Sequence, residues 1–200
     1  RAKSWRDHAA HLSGALQQHA WDGHWWLRGW FDDGTPLGSH ASAECRIDGI
    51  AQAWSVIAGV GNRSRACQAM EAVDQLLIDR SAHLVALLTP PFDHAGPDPG
   101  YICAYPPGLR ENGGQYTHGG VWSALAFALL GDGDRACELW HMLAPIAHSD
   151  TPQAVARWQV EPYVACADVY TAPGHLGRGG WSWYTGTASW LYRVALETLL

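Results

Sequence analysis

Charge is scarce in this sequence of 200 residues: 16% are Asp, Glu, Lys or Arg, and 13 basic against 19 acidic side chains give a net charge of −6. The basic residues form no run, which argues against a nucleic-acid or anionic-membrane surface and for neutral or small partners. No apolar stretch approaches the roughly 18 residues of a membrane span, and no signal-peptide pattern opens the chain, so no direct membrane contact is expected. Cysteine is scarce too. Cys45, Cys67, Cys103, Cys137 and Cys166 are odd in number, scattered and never spaced Cys-x-x-Cys, which offers neither a disulfide framework nor a zinc site. A reducing, cytoplasmic setting with no metal and no cofactor is the simplest expectation.

Tryptophan, by contrast, is abundant, with 12 residues. Indole faces stack on sugar rings and indole N–H groups bond hydroxyls, yet tryptophan also buries a large area, and roughly three quarters of the twelve are expected to be packing residues. The length suits one domain with a sizeable core.

Periodicity makes that domain mainly helical. A first helix is expected from a Ser4 cap to about Ala20, with Trp5, Ala9, Leu12, Leu16 and Ala20 on one face and His8 and His11 solvated. The aromatic-rich stretch from Trp25 to Phe31, followed by Asp33-Gly34, reads as a short hairpin or extended insertion. Helices follow over Gly49 to Ala58, with a stripe of Ile50, Trp54 and Ile57, and over Ser64 to about Ile78, with Ala66, Met70, Val73 and Leu77 on one side. Leu84 to Leu88 is a short buried strand or a helix tail, stopped by Pro90-Pro91. Further helices are expected from Val121, from Asp134 and over Gln153 to Trp158, and a short helix or extended segment over Glu161 to Tyr170. Trp54-Ser55 before Arg65-Ala66-Cys67-Gln68 is echoed by Trp122-Ser123 before Arg135-Ala136-Cys137-Glu138, either by chance or as repeated helix pairs of a toroid. The chain closes at Leu200 inside a helical pattern without the usual Gly or Pro, which suggests a fragment.

One loop stands out chemically. From Tyr105 to His118 it runs Tyr-Pro-Pro-Gly-Leu-Arg-Glu-Asn-Gly-Gly-Gln-Tyr-Thr-His. Pro106, Pro107 and Gly108 set a turn, Gly113 and Gly114 permit close approaches, and Arg110, Glu111, Asn112 and His118 supply charge and hydrogen bonds. His118 should lie near a helix start, where free N–H groups and the dipole favour an anion. The loop is a site for an oxyanion or sugar, or a surface loop whose polar groups satisfy one another. A second cluster, Gly179 to Thr187, also precedes an apolar run. Its Thr185 and Thr187 are candidate N-caps, and Thr185-Gly186 could instead offer a hydroxyl and an N–H to phosphate. Glu44 and Asp48, four apart, invite comparison with glycosidase carboxylate pairs, though Asp48 suits a helix cap.

Ordered blocks along nearly the whole chain resemble the inverting glycoside phosphorylases of glycoside hydrolase family 94, related to cellobiose and chitobiose phosphorylase, and most closely the C-terminal phosphorylase-like region of cyclic β-1,2-glucan synthases. They include Ala20-Trp21-Asp22-Gly23, Asp32-Asp33-Gly34-Thr35-Pro36-Leu37-Gly38-Ser39, Glu44-Cys45-Arg46-Ile47-Asp48, Leu88-Thr89-Pro90-Pro91-Phe92-Asp93, the Tyr105 to His118 loop, Val160-Glu161-Pro162-Tyr163-Val164, Gly177-Arg178-Gly179-Gly180-Trp181 and Tyr184-Thr185-Gly186. The resemblance implies an all-α fold, an (α/α)6 barrel of which residues 1–200 are an incomplete C-terminal part with short β and loop insertions. It implies reversible phosphorolysis of a β-glucan or gluco-oligosaccharide, with inorganic phosphate as co-substrate and α-glucose 1-phosphate as product. It also implies that His118, Thr185 and Gly186 bind phosphate and that Glu111, with Tyr105 and Arg110, binds the sugar. The family's general acid lies in an Asp-Trp-Asn-Asp motif that this sequence does not contain. A missing N-terminal part of the domain is therefore an expected partner, the isolated chain is expected to be nearly inactive, and its parent to be anchored at the inner membrane. The competing readings are a non-catalytic carbohydrate-binding fragment and an inverting hydrolase drawing on Glu44, Asp48 or Glu111.

Overall fold

The computed structural model describes residues 1–93, 96–183 and 185–200. In chain order, α1 (Ala2–His19) leads to a hairpin of β1 (Gly29–Trp30) and β2 (Pro36–Leu37), and β3 (Ile47–Asp48) runs directly into α2 (Gly49–Ile57). Next, α3 (Arg63–Leu77) continues into β4 (Ile78–Asp79), followed by β5 (Leu84–Val85) and β6 (Leu88–Thr89). A 3-10 turn at Gly100–Ala104 precedes the polar loop, which ends in β7 (Gln115–Tyr116) and α4 (Thr117–Leu129). The remainder holds α5 (Gly133–Leu143), a second 3-10 turn (Pro145–His148), α6 (Pro152–Trp158), β8 (Asp168–Val169) and α7 (Thr187–Val194), prolonged by a π turn over Ala195–Leu199. The expected helical domain with small β insertions is what forms.

Short polar side chains take up the free N–H groups at several of these helix starts. Asp48 accepts from Ile50 and Ala51 at 2.8 and 3.3 Å, so it is the cap of α2. Thr151 caps α6 by accepting from Ala154 at 3.1 Å, with Pro152 in the first turn. Two starts differ from expectation: Asn62 rather than Ser64 opens α3, and Asp132 rather than Asp134 opens α5. In each case the earlier residue places its carbonyl or carboxylate oxygen on the N–H three positions on, at 2.9 and 3.1 Å. Ser4 caps nothing, because α1 already begins at Ala2 and draws a Lys3–Asp7 ion pair at 2.9 Å across its first turn.

The core gathers around α4, which is apolar on every side and packs against α2, α5 and α7. Val121, Ala124 and Phe127 of α4 join Met70 and Val73 of α3, Leu139 and Leu143 of α5, and Leu191 and Val194 of α7. Such contact needs small residues. A Cβ on Gly120 would meet Leu143 Cδ2 at 2.8 Å, so glycine there lets α5 close onto α4. The Trp54 and Trp122 rings, equivalent positions of the sequence echo, touch edge to face at 5.4 Å where α2 packs on α4.

Two faces turn out otherwise than periodicity suggests. No residue of α1 is buried, and Trp5, Leu12 and Leu16 of its apolar face are exposed; only Ala20, just beyond the helix, enters the core. In α2 the buried residues are Gly49, Gln52, Ala53 and Ser55 rather than the stripe of Ile50, Trp54 and Ile57. Gln52 draws that face inward, because its amide bonds both main-chain groups of Trp26, at 2.8 and 2.9 Å. Seven tryptophans are buried or half-buried in core clusters, while Trp5, Trp30, Trp54, Trp181 and Trp183 are exposed, fewer packing residues than the three quarters expected.

Among the described residues, four antiparallel pairs, each two residues per strand, staple the loops to the helices: β1 with β2, β3 with β6, β4 with β5, and β7 with β8. The first is the expected hairpin. Leu84 to Leu88 resolves into strands rather than a helix tail, and the segment from Glu161 to Tyr170 is not helical: a turn at Pro162 and Tyr163 leads on to β8. The last pair matters most for the site. It sets Tyr116 opposite Asp168 and Gln115 opposite Val169, immediately before α4 begins.

Candidate functional site

Loop 105–118 ends in β7 and the first turn of α4, and ahead of them it is held by buried side chains. Asn112, fully buried, donates to the carbonyls of Phe92 (2.8 Å) and Tyr105 (2.7 Å) and accepts from the Phe92 N–H (2.7 Å). Gln115 accepts from the Val85 N–H at 2.9 Å and donates to the Thr117 hydroxyl at 3.2 Å. Gly108, at φ +84°, passes so near Ala172 that a Cβ would lie 2.4 Å from its nitrogen. Asn112 is therefore a clasp, and the ligand-facing chemistry falls to its neighbours.

His118 is the second residue of α4, as expected, and the entrance of α7 comes to meet it. Thr187, the first residue of α7, shares a hydrogen bond of 3.1 Å with His118 Nδ1. The Thr185 and Thr187 hydroxyls are 2.9 Å apart, and Thr185 accepts from the Thr187 N–H at 3.2 Å. Gly186 packs over the ring, where a Cβ would stand 3.0 Å from Nε2. Neither threonine is the N-cap: Gly186 holds that position, Thr187 is already the first helical residue with its hydroxyl on His118, and Thr185 lies one residue before the cap. Three predicted residues, His118, Thr185 and Gly186, thus converge where two helix N-termini meet, a setting that favours an anion. Burial lowers the pKa of His118, so its imidazole is neutral at pH 7 and donates from one nitrogen only. Tyr184, also noted in this cluster, lies outside the described residues.

Tyr116 joins this corner to a second one. Its ring stacks on His118 at 5.5 Å and 21°. Burial first, and the Glu111 charge next, raise its phenol pKa. In the second corner Arg110, at φ +48° in the left-handed region, lays its guanidinium near the rings of Tyr105 (5.5 Å) and Trp181 (5.8 Å). Arg110 Nε lies 3.7 Å from Glu111 Oε2, and Nη1 lies 3.8 Å from Asp168 Oδ1. Tyr105, Arg110 and Glu111 are thereby brought together as the sequence suggested. Asp168 was not anticipated. It is 1% exposed and accepts from the Trp181 N–H at 2.8 Å, and burial pushes its pKa up. The available signal was a lone acid in the apolar run Val164-Ala165-Cys166-Ala167-Asp168-Val169.

The remaining carboxylates work elsewhere. Asp48 is buried as the α2 cap, 3.4 Å from Arg28 Nε, and burial raises its pKa. Glu44 accepts from the Asp93 N–H at 2.8 Å and borders a cleft of about 780 Å³ walled by Phe31, Pro36, Pro91 and Phe92. None of the six predicted binding residues lines that cleft, so the polar cluster around Tyr116 is the better candidate on its chemistry.

Comparison with known families decides the larger question. A model of the "Glycosyl hydrolase 94 superfamily, catalytic domain" matches residues 1–200. The chain belongs to this superfamily. It is 48% identical over 200 residues to the cyclic β-(1,2)-glucan synthase NdvB of Rhizobium meliloti, covering 100% of this chain but 7% of that protein. It is 30% identical over 194 residues to the solabiose phosphorylase of Paenibacillus borealis, and 30% identical over 196 residues to the N,N'-diacetylchitobiose phosphorylase of Vibrio proteolyticus. Both alignments cover 96% of this chain, which spans about a quarter (24%) of each phosphorylase. The family resemblance read from the motif blocks is thus family membership. Among the described residues no helix is long and apolar enough to cross a membrane.

Proposed function

We propose that this segment supplies the phosphate-binding half and part of the sugar-binding half of a glycoside phosphorylase site in an (α/α)6 barrel, cleaving a β-linked glucan, β-1,2 in linkage. Phosphate replaces the water of an inverting glycosidase. It attacks the anomeric carbon from the face opposite the leaving oxygen, a general acid protonates that oxygen, and α-glucose 1-phosphate leaves with a shortened glucan. His118 donates one N–H to a phosphate oxygen, and Thr185 and Gly186 add a hydroxyl and a backbone N–H at the α7 entrance. Glu111 takes sugar hydroxyls, with Arg110 and Tyr105 beside it.

The observation that carries this reading is the His118–Thr187 bond, which joins two helix entrances far apart in sequence into one corner, linked to the Glu111 side through the Tyr116 ring. The acid comes from residues outside this chain, in the N-terminal part of the same domain. Asp48 is unsuited to that role because it caps α2 in the interior. Losing a general acid costs a factor of about 10² to 10⁴, and losing half the pocket costs more through lost positioning, so the isolated chain turns over little or nothing. We place the assembled protein at the cytoplasmic side of an inner membrane that anchors its parent chain.

A phosphorus NMR titration with inorganic phosphate and a β-1,2-linked gluco-oligosaccharide tests the proposal. Phosphate broadening that disappears in His118→Ala, without product, is the expected result. Glucose 1-phosphate formed at a useful rate would place the acid within these residues, free glucose would make the site a hydrolase, and glucan binding indifferent to phosphate would leave a carbohydrate-binding fragment.

A further inference from the structure

The second corner contains more buried polarity than its hydrogen bonds use. Among the described residues, Arg110 Nε, Glu111 Oε2 and Asp168 Oδ2 are all buried without a hydrogen-bond partner. A buried carboxylate is costly, and this one is enclosed on purpose: any Cβ on Gly180 would fall 2.5 Å from Asp168 Oδ2. Two main-chain N–H groups face the carboxylate, that of Trp181, which donates to Oδ1 at 2.8 Å, and that of Arg110, and an asparagine would keep an amide oxygen for the first of them. What a neutral residue could not supply is the attraction for Arg110, whose Nη1 lies 3.8 Å from Oδ1.

We infer that Asp168 is a positioning residue: from β8 its carboxylate holds the Arg110 guanidinium between the Tyr105 and Trp181 rings, and so fixes the Glu111 carboxylate paired with Arg110 on the other side. The β7–β8 pairing makes the anchor rigid, since Asp168 stands opposite Tyr116, whose ring rests on His118. The same strand pair therefore registers the sugar corner against the phosphate corner. The left-handed backbone at Arg110 agrees with a side chain aimed by its surroundings rather than by local preference. The functional consequence, though not the geometry, rests on the phosphorylase reading above.

The test is Asp168→Asn in this chain, with Asp168→Ala beside it. The first readout is the Arg110 Nε–H resonance in a nitrogen-edited NMR spectrum, assigned through its loss in Arg110→Lys. It is expected to move and to exchange with solvent about tenfold faster in Asp168→Asn, because a guanidinium that loses the buried carboxylate 3.8 Å from Nη1 no longer holds Nε against Glu111. Helical circular dichroism should stay at the wild-type level. A purely structural Asp168 predicts the reverse pattern, with Asn like wild type and Ala alone impaired, and that result overturns the inference. A heteronuclear NOE of Arg110 Nε–H in the wild-type chain needs no folded variant: backbone-like rigidity is expected, and a freely rotating side chain also overturns the inference. The second readout is gluco-oligosaccharide affinity from tryptophan fluorescence, expected to weaken about tenfold in Asp168→Asn but by nothing further on an Arg110→Gln background. If the wild-type chain binds no glucan, the phosphorylase reading loses its sugar half while the Arg110 resonance still decides the role of Asp168.

Discussion

Replacing Asn112 by alanine should unfasten the site loop. The side chain is completely buried and makes three hydrogen bonds of 2.7 to 2.8 Å, two as donor to the Phe92 and Tyr105 carbonyls and one as acceptor from the Phe92 N–H. Each intramolecular hydrogen bond contributes about 1 kcal/mol net, and a buried group left without a partner costs ~1–3 kcal/mol. Alanine deletes all three bonds at once, so the loss should be about 3 kcal/mol if water reaches the freed groups and about 5 kcal/mol if they stay dry. Against a total stability of ~5–15 kcal/mol, that is enough to move a urea midpoint visibly. The assay is urea unfolding followed by tryptophan fluorescence, with equal slopes required before midpoints are compared. Asn112→Asp separates shape from hydrogen bonding, because it keeps the acceptor for the Phe92 N–H but turns oxygen instead of NH₂ toward two carbonyls. It should be at least as damaging as alanine at pH 7. A loss below about 1 kcal/mol in both variants would refute the clasp, since three buried bonds cannot be worth so little unless the loop is held by something else.

Two further outcomes follow from buried titratable groups. His148 is 6% exposed and stacked on Trp158 at 4.4 Å, and burial pushes its pKa down to about 4. Its folded pKa lies below the unfolded value, so the unfolded chain gains the proton first, and stability present above about pH 6.5 is lost as pH falls toward 4, by about 3 kcal/mol at the limit. His148→Phe should flatten that part of the pH–stability curve measured by urea unfolding, and an unchanged acid slope would contradict the assignment. Cys45 and Cys166 are buried, with the Cys166 thiol pushed up to about 12 and that of Cys45 pushed up as well. A thiol reagent at pH 8 should therefore label Cys67, Cys103 and Cys137 in the native chain and reach the other two only in denaturant, as mass spectrometry would count.

Much of the fold was legible because its signals are local. Asp48, Thr151 and the Asp33-Gly34 turn act within three or four residues of themselves, and a helix entrance at His118 follows from the change from polar loop to apolar run. Local signals misled where a tertiary partner competes. The α2 stripe looked like the core face until Gln52, an amide with both main-chain groups of Trp26 to satisfy, turned the opposite face inward. Thr187 looked like a cap but stands one residue inside α7, where its hydroxyl meets His118 at the start of another helix.

The site was legible in a different way, as chemistry without geometry. Its pieces lie in segments too short or too irregular for periodicity: a glycine-rich loop, a two-residue strand and a helix entrance. What betrays such pieces is a residue that the local pattern cannot explain, and Arg110, Glu111 and His118 are of that kind. Asp168 is of that kind too, a single acid among Ala, Cys and Val, but its meaning depends on standing across β7 from Tyr116, a pairing that no spacing in the sequence encodes. That pairing also explains why the two corners must move as one. Any slip of β8 by one residue would turn the Asp168 carboxylate to the other face of the strand, releasing Arg110, and would replace it beside Tyr116 with Ala167 or Val169. The register of four residues thus controls both the anion corner and the sugar corner, and it is protected by Gly180, where nothing larger than hydrogen leaves room for the carboxylate.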